Sequence, residues 1–335
     1  MSQDNFIRIQ IVERDLVDWD DFIVKFKQRI NTEEYPIRVK INEGPDLNVL
    51  KINGMQFVDY LCSLTERRNI EIETDNLLQT NQKVKIIKFF NHLPFLAYQN
   101  YKGGVKIFDK KLMQFVGCHR WPRFVLSQWL HTTHQKSCHL TYWFTHTYFV
   151  SPEYGSGPLL DFMTEEEIQT HSRRIPLRIE TDEGKEHLEQ AGYIDWKDTN
   201  ALLPFYDTAF LDMVCETWHE GYTFMPTEKI GRPLACKNPF LVYGPRFFLR
   251  NLKKLGFQTF DKFWSEAYDY MQGKERLVEL KRIIDIIMAM DNEQLIQMYR
   301  EMLPILNHNY KVYNELTHKK IIKAFDAQGD NSTLN

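Results

Sequence analysis

Residues 215–269 read CETWHEGYTFMPTEKIGRPLACKNPFLVYGPRFFLRNLKKLGFQTFDKFWSEAYD, and their order decides the fold class. The apolar run Ala209–Cys215 reads as a strand, the Thr227–Lys237 stretch as a helix, and Phe240–Tyr243 as a second strand. Strand, helix, strand in that spacing is a βαβ unit, which in an open sheet pairs its strands in parallel. Thr227 is expected to be the N-cap, its hydroxyl accepting from a free amide of the first turn. Glu228 at the next position suits the helix dipole, whereas Lys229 opposes it. A lysine in a first turn makes sense where an anion is bound at the helix N-terminus. Pro233 inside this helix is expected to kink or shorten it, and Gly231 to weaken it.

Working outward, the same grammar recurs. Leu112–Val116 reads as a strand, Trp121–His131 as a helix and His139–Phe144 as a strand. Between the first two lies Gly117-Cys118-His119-Arg120-Trp121-Pro122-Arg123, where glycine is expected to permit a sharp turn and two arginines open a helix. Further upstream, Phe6–Val12, Pro36–Ile41 and Ile70–Glu73 read as strands, with helices expected over Asp18–Arg29 and Met55–Leu64. Residues 151–200 lack periodicity and read as loops with one or two short helices. The periodic stretches Arg276–Met290 and Glu293–Leu303 read as helices, followed by a polar tail after Phe325.

The expected architecture is therefore two α/β units in tandem, residues 1–105 and 106–305, with residues 306–335 as a C-terminal helix and polar tail. At 335 residues the chain is long enough for two cores. Charged residues are 26% with a net charge of −3, so no basic excess points to nucleic acid. The five cysteines include no CxxC pair, which argues against a disulfide framework or a thiolate zinc site. No 18-residue apolar run occurs, so no membrane span is expected and a cytoplasmic location is.

The Cys215–Asp269 stretch resembles the donor-binding segment of fucosyltransferase-type glycosyltransferases of the GT-B class. The residues that carry the likeness are Glu216, then Thr227-Glu228-Lys229, then Pro239-Phe240-Leu241-Val242-Tyr243-Gly244. The Gly117–Arg123 turn is similar to that family's upstream arginine turn. Phe247–Asp269 looks like glycosyltransferase-like proteins of large DNA viruses and phages, for which the location would be host cytoplasm. The likeness covers roughly residues 112–270. It implies two Rossmann-like domains facing a cleft. It also implies a nucleotide-diphosphate sugar as donor and a glycan hydroxyl as acceptor. Glu228 would bond the donor ribose, and Lys229 with one of Arg120 or Arg123 would neutralise the diphosphate. Since those cations are side chains, neither metal nor cofactor is expected. An inverting reaction needs a general base, for which Asp75, Glu43 and Glu73 stand at strand ends, Asp75 ahead of Glu43.

Other readings compete. A non-catalytic nucleotide- or carbohydrate-binding protein would use the same fold. His131 and His134 share a helical spacing with metal ligands, but no carboxylate completes the set. Asp18-Trp19-Asp20 lies at a helix start, where aspartate is common anyway. No GxGxxG follows an expected strand, which argues against a dinucleotide oxidoreductase.

Overall fold

The protein was examined as a computed structural model, which describes residues 6–12, 15–17, 19–32, 36–42, 46–48, 50–52, 54–65, 70–90, 93–117, 119–142, 158–175, 177, 202–219 and 221–326. It is a mixed α/β protein with two mainly parallel sheets and a helical C-terminus. Packing divides it into two compact units. The first comprises residues 1–93, 220–225 and 316–335, the second residues 94–219 and 226–315. The expected divisions were drawn at single points along the chain, whereas the first unit takes back two later segments.

In the first unit the order of elements is β1 (Phe6–Val12), β2 (Asp15–Val17), α1 (Trp19–Thr32), β3 (Ile37–Asn42), β4 (Lys51–Ile52), β5 (Met55–Gln56), α2 (Phe57–Ser63), β6 (Ile70–Thr74) and β7 (Lys85–Lys88). Met55 and Gln56, expected to be helical, pair with β4 instead, and the helix starts two residues later than expected, at Phe57. The main sheet runs β2-β1-β3-β6-β7, parallel except for the edge strand β2. Because strand order follows chain order, right-handed crossovers place α1 and α2 on the same face. Phe22 and Phe26 of α1 and Phe57, Val58 and Leu61 of α2 pack there on Ile37, Val39, Ile41, Ile70 and Ile72. The alternate residues carry charge: Glu71 accepts from Arg38 at 2.9 Å and Lys85 at 2.7 Å, and Lys40 lies 3.4 Å from Glu73. Period-two alternation thus makes one face core and the other an ionic ladder.

At the carboxyl end of β6 a buried amide organises the chain. Asn76 Oδ1 accepts from the amides of Leu78 and Phe224, each at 3.1 Å, and Nδ2 donates to Tyr222 O at 3.2 Å. Asp46 Oδ2 accepts from the Tyr222 amide at 3.0 Å, and Gln79 Oε1 from the Leu47 amide at 2.8 Å. These bonds are why residues 221–225 belong to this unit.

The second unit begins with residues 94–109 and continues through β8 (Lys110–Val116), α3 (Trp121–Thr133), β9 (Cys138–Tyr142), α4 (Glu165–Arg174), α5 (Phe205–Thr208), β10 (Ala209–Cys215), α6 (Glu228–Cys236), β11 (Phe240–Tyr243), α7 (Phe248–Lys254), α8 (Gly273–Ala289) and α9 (Asn292–Glu315). The last helix, α10 (His318–Asp326), returns to the first unit. All four strands are parallel in the order β9-β8-β10-β11. Here the winding reverses: β8 to β9 moves one way, and β10 to β11 moves the other. This unit is doubly wound, with its switch point between β8 and β10, whereas the first unit is wound one way only. Every residue of β10 and β11 is buried, the continuous burial expected of strands covered on both faces.

The helix α6 continues through Pro233 to Cys236, so the proline does not end it. Gly231 has a packing reason: a Cβ there would stand 2.4 Å from the carbonyl oxygen of Phe95. The hydroxyl of Tyr313 on α9 donates to that same oxygen at 2.5 Å. Gly231→Ala should therefore cost about 2 kcal/mol, as overpacking does, read as a lowered urea midpoint. Asn76→Ala, which strips the three bonds to Leu78, Phe224 and Tyr222 and the one that Nδ2 donates to Gln79 Oε1 at 3.4 Å, should cost about 2–3 kcal/mol in the same assay.

Candidate functional site

Ligands of open α/β sheets bind beyond the carboxyl strand ends, where the winding reverses. In the second unit that place lies between Val116, which ends β8, and Cys215, which ends β10. The residues singled out from the sequence for donor binding, Gly117, Arg120, Arg123, Glu216, Thr227, Glu228 and Lys229, all follow one of these two strands.

Glu216 is buried at 2% exposure. Its Oε1 accepts from the Thr227 amide at 3.2 Å and its Oε2 from the Thr227 hydroxyl at 2.6 Å. Burial raises its pKa above the ordinary carboxylate value, against the nearby Lys229 charge and the Thr227 bonds. Thr227 caps α6 as expected, its Oγ1 accepting from the Lys229 amide at 3.3 Å. Both carboxylate oxygens of Glu216 are thus spent on positioning the helix start.

Lys229 turns back over that start. Its Nζ lies 2.6 Å from Glu228 Oε1, 3.3 Å from Thr217 Oγ1 and 3.4 Å from Thr227 Oγ1. Both members of the Glu228–Lys229 pair keep nearly a fifth of their side-chain surface open. A partly open ammonium beside the first-turn amides is an arrangement that suits an anion.

The two arginines have different situations. Arg123 is 3% exposed, and its Nη2 donates to the carbonyls of Cys215 and Glu216, each at 3.0 Å. It ties α3 across the switch point to the end of β10. Arg120 is half-buried at the N-cap of α3, with Nη1 donating to His119 O at 2.8 Å. Of the two, Arg120 keeps open surface. Gly117 is exposed, has no left-handed φ, and a Cβ there would meet nothing within 4 Å, so the turn does not require glycine.

His119 places Nδ1 2.7 Å from the Tyr142 hydroxyl, and burial lowers its pKa to about 4. Its ring is therefore neutral at pH 7. Three rings meet at the same strand ends: Trp121 lies 5.8 Å from His219 and 5.9 Å from Tyr243, and the last two are 6.0 Å apart. Sequence reading did not single out His219 or Tyr243, although each stands at or just beyond a strand end.

Asp75 sits in the first unit at the end of β6, 8% exposed. Glu73 is paired with Lys40, and Glu43 lies outside the described residues. Among the described residues no group of three His, Cys, Asp or Glu is arranged to hold a metal, and His134 pairs with Asp285 at 2.9 Å. No helix among them is long and apolar enough to cross a membrane.

Comparison of the chain with protein-family models, curated proteins and solved structures finds no match. The class defined by the fold is a mixed α/β protein whose second unit has a doubly wound parallel sheet with side chains of both charges at its strand ends.

Beneath the site, Asp212 is the one charged residue of β10. Its Oδ2 accepts from the Tyr206 hydroxyl at 2.6 Å, and the buried Arg232 of α6 lies on the same interior side. Burial raises the Asp212 pKa to about 7, the Tyr206 bond and the Arg232 charge opposing that rise. The folded state therefore holds a proton that the unfolded chain releases near 3.8, the ordinary aspartate value. Stability from this group is full below the unfolded pKa and is lost as pH rises to about 7. Asp212→Asn, which keeps the acceptor for Tyr206, should become more stable relative to wild type as pH rises from 4 to 7. Urea midpoints across that range check it, and parallel curves would contradict it.

Proposed function

We propose that this protein is a glycosyltransferase that binds a nucleotide-diphosphate sugar at the start of α6. The observation that carries the reading is Lys229, held by Thr217, Thr227 and Glu228 over the first turn of α6, next to a topological switch point. Breaking the sugar–phosphate bond develops negative charge on the departing nucleoside diphosphate. A fixed ammonium and oriented helix amides stabilise that charge without rearranging during the reaction. Arg120, the half-open arginine, supplies the second cation, while Arg123 and Glu216 hold the strand end and helix start in register. Glu228 is assigned to the donor ribose.

The GT-B class belongs to the same proposal. In it the acceptor glycan is handled by the first unit, with Asp75 at the carboxyl end of β6 as general base. Support for this part is the sequence resemblance and the position of Asp75 at a strand end. The alternative, a binding protein that leaves its nucleotide sugar intact, differs in one respect: it would release no free nucleoside diphosphate on prolonged incubation with donor.

A thermal-shift series with GDP, UDP, CDP, ADP and dTDP tests the donor site. A ligand at 100 times its Kd adds about 2.7 kcal/mol, a shift of several degrees. Lys229→Ala should abolish that shift and leave the unliganded melting temperature near the wild-type value, because Thr227 remains capped onto Glu216. A variant that folds and binds with unchanged affinity would remove the site from α6.

A further inference from the structure

The turn after β11, Gly244-Pro245-Arg246-Phe247, is anchored by buried charge. Arg276 of α8, 1% exposed, donates Nε to Tyr268 O at 2.9 Å, Nη2 to Asp269 O at 3.4 Å, and Nη1 to Gly244 O. Asp269 in turn accepts from the amides of Leu249 at 2.9 Å and Arg250 at 3.1 Å, while its carbonyl accepts from Phe247 N at 2.8 Å. The first amides of α7 are therefore occupied, and that short helix offers no anion site of its own.

This scaffold holds Phe247 at φ 64°, ψ 24°, the left-handed region in which a bulky side chain is strained. Glycine or asparagine would occupy it more comfortably, so the ring is kept at a backbone cost. Over the Phe247 ring lie the guanidinium of Arg246 at 5.0 Å and that of Arg250 at 5.5 Å. The Tyr270 ring meets it edge-on at 5.4 Å. Arg246, Arg250 and Tyr270 are exposed. Among the described residues neither guanidinium makes an ion pair or a hydrogen bond, whereas Lys253 on the same helix is paired with Asp261 and Glu266. Guanidinia laid on an aromatic ring present a flat cationic face outward, with N–H edges free for carbonyl and ring-nitrogen acceptors.

The platform adjoins the α6 site through the sheet. Glu216 N donates to Tyr243 O at 3.0 Å, so the turn departs beside the residue that seats Thr227. Four residues, from Tyr243 to Phe247, span at most about 14 Å, the scale of an extended nucleoside diphosphate. We infer that Arg246, Phe247, Arg250 and Tyr270 form the seat for the donor's nucleobase, which stacks on the guanidinium–phenyl layer while the diphosphate lies at Lys229. The inference rests on the proposed donor site and adds the group that selects the base.

Calorimetric titration with inorganic pyrophosphate and with the five nucleoside diphosphates separates the two. In R246A/R250A, the best nucleoside diphosphate should weaken by about tenfold or more, in keeping with loss of base stacking. Preference among the bases should flatten, and pyrophosphate affinity should stay at the wild-type value. Lys229→Ala should weaken pyrophosphate and nucleoside diphosphates together. Phe247→Gly, which relieves the backbone while removing the ring, should fold normally and lose base preference in the same way. Unchanged base preference in R246A/R250A overturns the inference and leaves the α6 site standing. Loss of pyrophosphate binding in R246A/R250A also overturns it, because the arginines would then hold phosphate. A wild-type protein that binds neither pyrophosphate nor any nucleoside diphosphate overturns the donor site itself, and the base seat with it.

Discussion

The hydrogen bonds between Glu216 and Thr227 are the constraint on which the second unit's strand-end geometry depends. A carboxylate sealed from water is costly unless its oxygens are satisfied, and here the backbone amide and the hydroxyl of one residue, Thr227, satisfy both. The same hydroxyl then caps α6 through the Lys229 amide. Arg123 completes the clamp by donating to the carbonyls of Cys215 and Glu216, which links β10 to α3. Helix start, strand end and switch point are thereby one bonded assembly, and Lys229 inherits its position from it. The helix start that carries the site's cation is placed by buried groups, Glu216, Thr227 and Arg123.

The two sheets show how strand order alone changes what an α/β unit offers. In the first unit, sequential order puts both crossover helices on one face, and the other face becomes the Arg38–Glu71–Lys85 and Lys40–Glu73 ladder. In the second, reversal at β8 and β10 covers both faces and sets the switch point between those two strand ends. Buried polar groups follow the same division. Asn76 and Asp46 close a loop edge in the first unit, and Asp212 with Tyr206 sits under the α6 helix in the second. Asn76 and Asp46 are satisfied by partners far away in sequence and so fix topology, whereas Asp212 bonds Tyr206 only six residues away.

Local order was legible in the sequence. Ala209–Cys215, α6 with its Thr227 cap, and Phe240–Tyr243 were read from apolar runs, capping chemistry and spacing, and all three have those forms. The lysine in the first turn of α6 was conspicuous because it opposes the helix dipole. Pro233 does not end the helix, since a proline rule is local while the helix is held by its packed face. Gly231, read from the sequence only as a weak helix former, also lies against the Phe95 carbonyl. The short strand Lys85–Lys88 and the helix Phe248–Lys254 went unread, because four to seven residues give too little periodicity.

By itself, then, the sequence determined the alternation of strands and helices, the cap at Thr227 and the chemical character of the residues after β8 and β10. Such features follow from periodicity and from hydrogen bonds that close within a few residues. Only the tertiary structure decided that β8 lies beside β10, that Arg123 is buried while Arg120 is half-open, and that residues 221–225 rejoin the first unit. It also decided that Phe247 carries two unpaired guanidinia on a strained backbone. All but the last of these depend on pairing between segments about 90 to 180 residues apart, and no local pattern encodes which distant partner satisfies a given strand edge, carbonyl or charge.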